Sequence, residues 1–318
     1  MTNTVQPKSV GTIKLIIFLS YCLLYPQLVF GNEVVETSST FEEKFIKSNI
    51  AVSGFFDRIA ESIDNFFVSS SQKNRENKSS VAIENISTST EGQYVENVVH
   101  FIANLRLTNV ENYFQLKFTT FDENEERGSK KRYGQPITRK QNYGATVGLF
   151  KKLGDVRTSF QPRIELQDPL KVSHSLSFDV SANFITYEFL PKLELFANPD
   201  KGTGAFLALN YRYFLSDIFS LNWINEGEYE EKKRQFSTIV GLSLVQEITD
   251  KSTLAYSIFT NSNNRTAYHL EAYNFSITWN HIVYNKILFY QLIPRLGFAS
   301  EQSFKGAAGI TVVLNLNF

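Results

Sequence analysis

The sequence predicts an all-β chain, a transmembrane antiparallel up-and-down β-barrel of 14 strands (12 as the alternative) behind a short N-terminal amphipathic helix. Three observations predict it. From about residue 79 to the end, apolar side chains recur at every second position, the period of a strand with two unlike faces. Connections alternate short and long, as when tight turns face one compartment and longer loops the other. Tyr143, Tyr187, Tyr211, Tyr213, Phe219, Trp223, Tyr273 and Trp279 fall in phase with the apolar face, several near strand ends, where a membrane interface holds amphipathic rings. Alternation alone also suits a soluble sandwich with its apolar face inward. The loop asymmetry and the ring positions choose the membrane.

Composition excludes other classes. The chain has 318 residues with 32 basic against 32 acidic, so it lacks the cationic excess that binds nucleic acid. Beyond the leader no stretch reaches the roughly 18–20 apolar residues of a spanning helix.

In order along the chain, 1–31 reads as a signal peptide. Lys8 and Lys14 form its positive start, Ile16 to Phe30 its apolar run, and Val29 and Gly31 precede a cut before Asn32. Cleavage removes Cys22, the single cysteine, so the exported chain has no disulfide framework. Residues 32–78 read as a periplasmic amphipathic helix and polar linker. Phe45, Val52, Phe56, Ile59, Ile63 and Phe66 lie at helical spacing over Phe41 to Val68, with Ser53-Gly54 as a bend and a polar stretch from Ser69. This helix either rests against the membrane or the barrel, or enters the lumen as a partial plug.

Residues 79–318 read as the barrel. Counting back from Phe318, strands fall near 306–318, 286–299, 267–280, 251–262, 235–248, 218–227, 203–214, 187–197, 173–184, 155–167, 141–150, 112–121 and 95–107. That count is odd, whereas such barrels have an even one. A further strand at 79–90, closed by a turn at Glu91-Gly92, restores it. Long loops are expected at Asp122–Lys140 and Glu226–Arg234, and short turns at Lys151–Asp155 and Asn280–Asn285 among others. Three strands share a pattern of apolar, any residue, Pro, basic: Phe160–Leu166, Phe189–Leu195 and Leu292–Phe298. It puts Pro162, Pro191 and Pro294 toward lipid and Arg163, Lys192 and Arg295 inside. It reads as a recurring bulge or as a basic cluster faced by Glu165, Glu194 and Asp179.

A Lys or Arg facing lipid at the midplane costs about 2–4 kcal/mol, so strand charges are expected inside. By parity the candidate lumen residues are Arg106, Lys117, Arg157, Arg163, Glu165, Asp179, Lys192, Glu194, Arg212 and Arg295. Their mixed signs fit a bracing lattice of salt bridges or a transverse field across a water-filled constriction. A wall of this size encloses more than its own side chains fill.

The signs of catalysis are poor. His174, Ser177 and Asp179 come nearest to a relay, but His174 has the opposite parity from Ser177 and no Gly-x-Ser-x-Gly elbow occurs. No Cys or His pair has zinc-ligand spacing, so no metal, no cofactor and no enzymatic activity are expected. Asp122-Glu123-Asn124-Glu125-Glu126, followed by Arg127, Lys130, Lys131 and Arg132, reads as a solvated external loop. Less favoured is a role in taking up divalent cations or lipopolysaccharide phosphates.

Two resemblances add to this. The ending Ile310, Val312, Leu314, Leu316, Phe318 resembles the C-terminal signal by which the barrel assembly machinery of Gram-negative bacteria recognises its substrates. The N-terminal third resembles a family of gammaproteobacterial outer-membrane proteins through Phe55-Phe56-Asp57, Ile63-Asp64-Asn65-Phe66-Phe67, Glu76-Asn77-Lys78-Ser79-Ser80, Glu91-Gly92, Asn104-Leu105-Arg106-Leu107 and Tyr113-Phe114-Gln115-Leu116. That resemblance implies a helix, a linker and an outer-membrane barrel, and no particular activity. The expected role is a porin-like passive channel or binder for small polar solutes. The alternatives are an interaction protein acting through external loops and, least favoured, a lipid-active enzyme. Expected partners are outer-membrane lipid and lipopolysaccharide, the assembly machinery during biogenesis, and small polar solutes.

Overall fold

The structure, a computed structural model, describes residues 41–67, 79–106, 114–122, 127–129, 141–265, 267–284 and 287–318. The proposed signal peptide, the polar linker and the turn at Thr108–Glu111 lie outside these residues. The chain divides into two compact units, Met1–Lys47 and Ser48–Phe318. Of the first, only the opening turns of a helix are described. The rest of that helix and all the strands belong to the second.

The strands are β1 (Ser80–Thr90), β2 (Glu96–Arg106), β3 (Phe114–Thr119), β4 (Gly144–Leu153), β5 (Val156–Glu165), β6 (Lys171–Asp179), β7 (Ala182–Asn183), β8 (Tyr187–Asn198), β9 (Gly202–Phe214), β10 (Phe219–Glu230), β11 (Gln235–Thr249), β12 (Ser252–Asn263), β13 (His269–Tyr284), β14 (Leu288–Ala299) and β15 (Gly306–Asn317). Successive strands pair antiparallel, β6 pairs directly with β8, and β1 pairs with β15. The two residues of β7 hold the register of β6 on β8, so both belong to one strand of the wall. The result is a closed barrel of 14 strands. Closure leaves no unpaired sheet edge. Across the seam Val81 N–H donates to the Phe318 carbonyl at 3.3 Å, and Phe318 N–H donates back at 2.7 Å.

Residue parity sorts the two faces. On β15, Ile310, Val312 and Leu314 are 40–43% exposed on the outside while Thr311 and Val313 are buried on the inside. The outer surface is apolar around the wall, including Leu193, Leu207, Leu242, Ile258, Phe275 and Leu296. Rings band its two ends. Near the chain terminus Phe189 stacks on Tyr211 at 4.7 Å, Tyr211 lies 5.9 Å from Trp223, and Trp279 meets Tyr290 edge-on at 5.5 Å. At the opposite end Tyr273 stacks on Phe298 at 4.5 Å and on Phe304 at 5.8 Å.

Four expectations are corrected. The prolines do not make bulges: register runs unbroken through Pro191 on β9 and Pro294 on β15, and is the same on both sides of Pro162. A proline removes one donor but adds no residue to its strand, and an added residue is what a bulge needs. The register shifts lie instead at Glu247/Thr249, Asn261/Ser262 and Ile282/Tyr284. Secondly, Glu226 to Glu230 is strand, with the turn confined to Glu231–Arg234, because Glu226, Glu228 and Glu230 alternate inward. Thirdly, β4 runs through Lys151 to Leu153 and β13 through Asn280 to Tyr284, so both expected turns shrink.

The last concerns the helix, α1 (Phe41–Phe67), which passes Ser53-Gly54 unbroken. Asn49 Nδ2 donates to the Asn317 carbonyl at 2.6 Å, and the Phe56 ring lies 6.2 Å from Phe101. Phe101 pairs with Ile83, and Ile83 with Leu316, all on the outward face. At these contacts α1 straps the outside of the seam; it is not a plug there.

Candidate functional site

The interior is divided unevenly. On the β10–β15 side, Ile224, Phe259 and Ile293 are buried, Ser243 bonds Ser257 at 2.8 Å, and Thr278 and Thr311 are buried beside them. These inward side chains are withdrawn from solvent. On the β3–β9 side lies a cavity of about 790 Å³.

The segment that follows β3 marks the boundary. Instead of staying outside, it brings Arg127, Gly128 and Ser129 across to the far wall. Arg127 Nε donates to Glu194 Oε1 on β8 at 2.8 Å and Nη1 to Glu228 Oε1 on β10 at 3.2 Å. Its guanidinium stacks 3.7 Å above the Phe196 ring. Ser129 N–H donates to Glu226 Oε2 at 2.8 Å, and Asn210 Nδ2 to the other oxygen at 3.0 Å. Gly128 has φ +62°, and a Cβ there would collide with the Glu226 carboxylate. Only glycine adopts that backbone without strain and leaves that room. The expectation of a wholly solvated loop is therefore corrected for these residues and for Asp122, which is buried; 123–126 and 130–140 lie outside the described residues. A planar, permanently charged fork explains the seat: Arg127 meets two carboxylates and one ring face at once.

Of the lumen residues expected from parity, Lys117, Arg157, Asp179, Lys192 and Glu194 line the cavity together. Lys192 Nζ is 2.9 Å from Glu194 Oε2, and Arg157 lies 5.3 Å from the Phe150 ring. Arg163 is inward but sealed, 1% exposed. Its Nη1 donates to Thr119 Oγ1 at 2.6 Å, Nη2 donates to the Asn142 carbonyl at 2.9 Å, and Nε lies 3.7 Å from Asp122. Gly144 makes that possible, since a Cβ there would sit 2.6 Å from the guanidinium carbon. Glu165 is buried with Gln167 at 2.5 Å. Arg212 bonds Glu188 at 3.0 Å and Asn222 at 3.1 Å. Arg106 stands opposite Gln115 in the ladder. Arg295, on β14, donates to Thr90 at 2.6 Å.

The proposed cluster of Arg163, Lys192 and Arg295 does not form. The three share a sequence pattern, but strand order sets β14 on the other side of the lumen from β5 and β8. The three carboxylates of β10 were missed, and so was Phe196. Alternation of Asn222, Ile224, Glu226, Glu228 and Glu230 against Trp223 and Tyr229 was the signal for them. His174 faces outward, whereas Ser177 is buried inward on Ser159 at 2.6 Å, so the two cannot act together. Among the described residues no group of His, Cys, Asp or Glu has the arrangement of a metal site, and no helix is long and apolar enough to cross a membrane.

No protein-family model matches the sequence, and the comparison with curated proteins gives no match. Among solved structures the chain is similar to the Vibrio cholerae outer membrane protein OmpT, at 7% identity over 77% of this chain and 99% of that one, TM-score 0.46. It is also similar to the outer membrane channel DcaP of Acinetobacter baumannii (6%, 78% and 99%, TM-score 0.45) and to Salmonella typhi OmpF in complex with daunomycin (6%, 76% and 97%, TM-score 0.46). Likeness at this level transfers no residue role and no solute.

Proposed function

We propose that this protein is a porin-like channel of the Gram-negative outer membrane, passing small polar solutes by diffusion, with Arg127–Ser129 as the inner edge of its constriction. The observation that carries the reading is a polar cavity of about 790 Å³ inside a closed wall with an apolar exterior. A wall with that exterior gains by facing hydrocarbon, and closure satisfies every strand edge there. Outer-membrane lipid and lipopolysaccharide then surround the wall. The C-terminal residues Ile310, Val312, Leu314, Leu316 and Phe318 serve as the assembly signal, and 1–31 directs export. The role requires no covalent chemistry; lipid turnover by the pure protein would contradict that part. Reconstituted into planar bilayers, the full chain is expected to give discrete conductance steps. An ion-tight barrel that is correctly folded and inserted would refute the channel.

A further inference from the structure

We infer that the Asn49–Ile59 part of α1 is a lipid-binding surface: while one side of it grips the barrel seam, the flank built from Val52, Phe55 and Ile59 seats in phospholipid acyl chains around the chain-terminal end of the wall. The inference shares with the channel reading the premise that the apolar outer wall meets lipid, and adds to it a second lipid contact.

The first support is where the helix lies. Asn49 Nδ2 reaches the Asn317 carbonyl on β15, and the Phe56 ring lies 6.2 Å from Phe101 on β2. The step from Asn49 to Phe56 advances about 10 Å along a helix. β15, β1 and β2 are neighbours in that order, so the same step crosses two strand spacings of about 4.8 Å. The helix therefore runs across the strands, not along one of them. It does so close to the end of the wall. Phe101 pairs with Ile83, and Ile83 with Leu316, the penultimate residue of β15. Leu314, the next outward residue, stands opposite Tyr290, the ring that Trp279 meets edge-on. This is the height of the terminal ring band, where a bilayer passes from hydrocarbon to headgroup.

The second support is how the helix sorts its side chains. At about 100° per residue Asn49 and Phe56 point within about 20° of each other, which fixes the side toward the wall. Measured from Asn49, Val52, Ile59 and Phe55 follow on one flank at about 60°, 80° and 120°, while Ser53 and Asp57 lie on the other at about 40° and 80°. Ile50, 64% exposed, is the apolar exception on that second flank. Phe55 is 52% exposed, and its ring meets Phe56 edge-on at 5.4 Å. Apolar surface thus runs from Phe101 on the wall through Phe56 to Phe55. A lone exposed ring needs no explanation, but this one continues a lipid-facing wall at interface height. Helices lying in the interface plane bind bilayers with such a flank in the acyl boundary. A helix strapped outside a convex wall leaves a crook that lipid chains fill and a second barrel does not.

The test is spin labelling of single cysteines in the full chain carrying Cys22→Ser, reconstituted in vesicles of phosphatidylcholine and phosphatidylglycerol. Phe55→Cys and Ile50→Cys report the two flanks, and Leu242→Cys reports the bare wall. All three side chains are exposed, so the labels displace no packing. At Phe55, as at Leu242, collisions with oxygen, which concentrates in acyl chains, are expected to exceed those with a water-soluble nickel chelate severalfold. At Ile50 the ratio is expected to invert. Both native side chains are apolar, so the seat of the helix alone predicts the difference. A water-exposed label at Phe55, or equal ratios at Phe55 and Ile50, would overturn the inference. So would spin–spin broadening at Phe55 that dilution with unlabelled protein removes, since a second copy would then cover that flank. A lipid-exposed Leu242 label beside a water-exposed Phe55 label leaves the channel reading standing; water exposure at Leu242 removes both. An ion-tight barrel with a lipid-seated Phe55 label removes the channel and keeps this surface.

Discussion

Arg127 shows how one residue can set the character of the lumen. Its guanidinium joins Glu194 to Glu228, all three largely out of water. Removing one member of such a buried set leaves an uncompensated charge and costs about 3–5 kcal/mol. Arg127→Ala is therefore expected to unseat the crossing segment, raise single-channel conductance and shift selectivity toward cations, as reversal potentials in a salt gradient would record. Gly128→Ala should move conductance in the same direction with no charge changed, because the added methyl collides with Glu226. Breaking the exposed Lys171–Asp200 pair, 2.7 Å apart, should change stability by no more than about 1 kcal/mol. None of this was legible locally. Arg127 follows a run of acids and precedes more bases, which is what a solvated loop looks like. Its partners lie 67 and 101 residues away in sequence, and no local period reports pairing over that distance.

At the scale of elements, strands were the legible part. Period two needs only neighbouring residues, so β15, with Ile310, Val312 and Leu314 outward, reads directly from the chain, and parity of the count located β1. Parity also placed Lys117, Arg157, Asp179, Lys192 and Glu194 around one cavity. What it cannot say is how far along or around the wall a side chain lies. Arg163, sealed in the wall, and Arg295, across the barrel on β14, carry the same signal as Lys192. The helical spacing of α1 predicted its element but not its side of the wall, because a lumen and an outer seam both accept an apolar stripe. Facing decides the cost of charge. Phe160→Arg places a cation on the lipid side of β5 and should cost about 2–4 kcal/mol near the midplane. Gln161→Arg, one residue on, enters the cavity and should cost far less. Urea titration of the two variants folded into lipid vesicles measures the difference.

The whole molecule joins two interiors in one wall. Inward side chains of β10–β15 are buried, Arg127 and Ser129 hold acids of β8 and β10, and the cavity on the β3–β9 side is lined by charges of both signs. That arrangement needs the closed wall, and the closed wall needs hydrocarbon around it. The two tryptophans of the chain, Trp223 and Trp279, both sit on the outward face, 43% and 36% exposed. Fluorescence of the unaltered protein in vesicles therefore tests which face of β10 and of β13 meets lipid. Lipids with brominated acyl chains should quench both tryptophans strongly, while aqueous iodide should quench them little. Strong iodide quenching of correctly folded protein, with no response to brominated chains, would mean that the apolar face does not meet lipid.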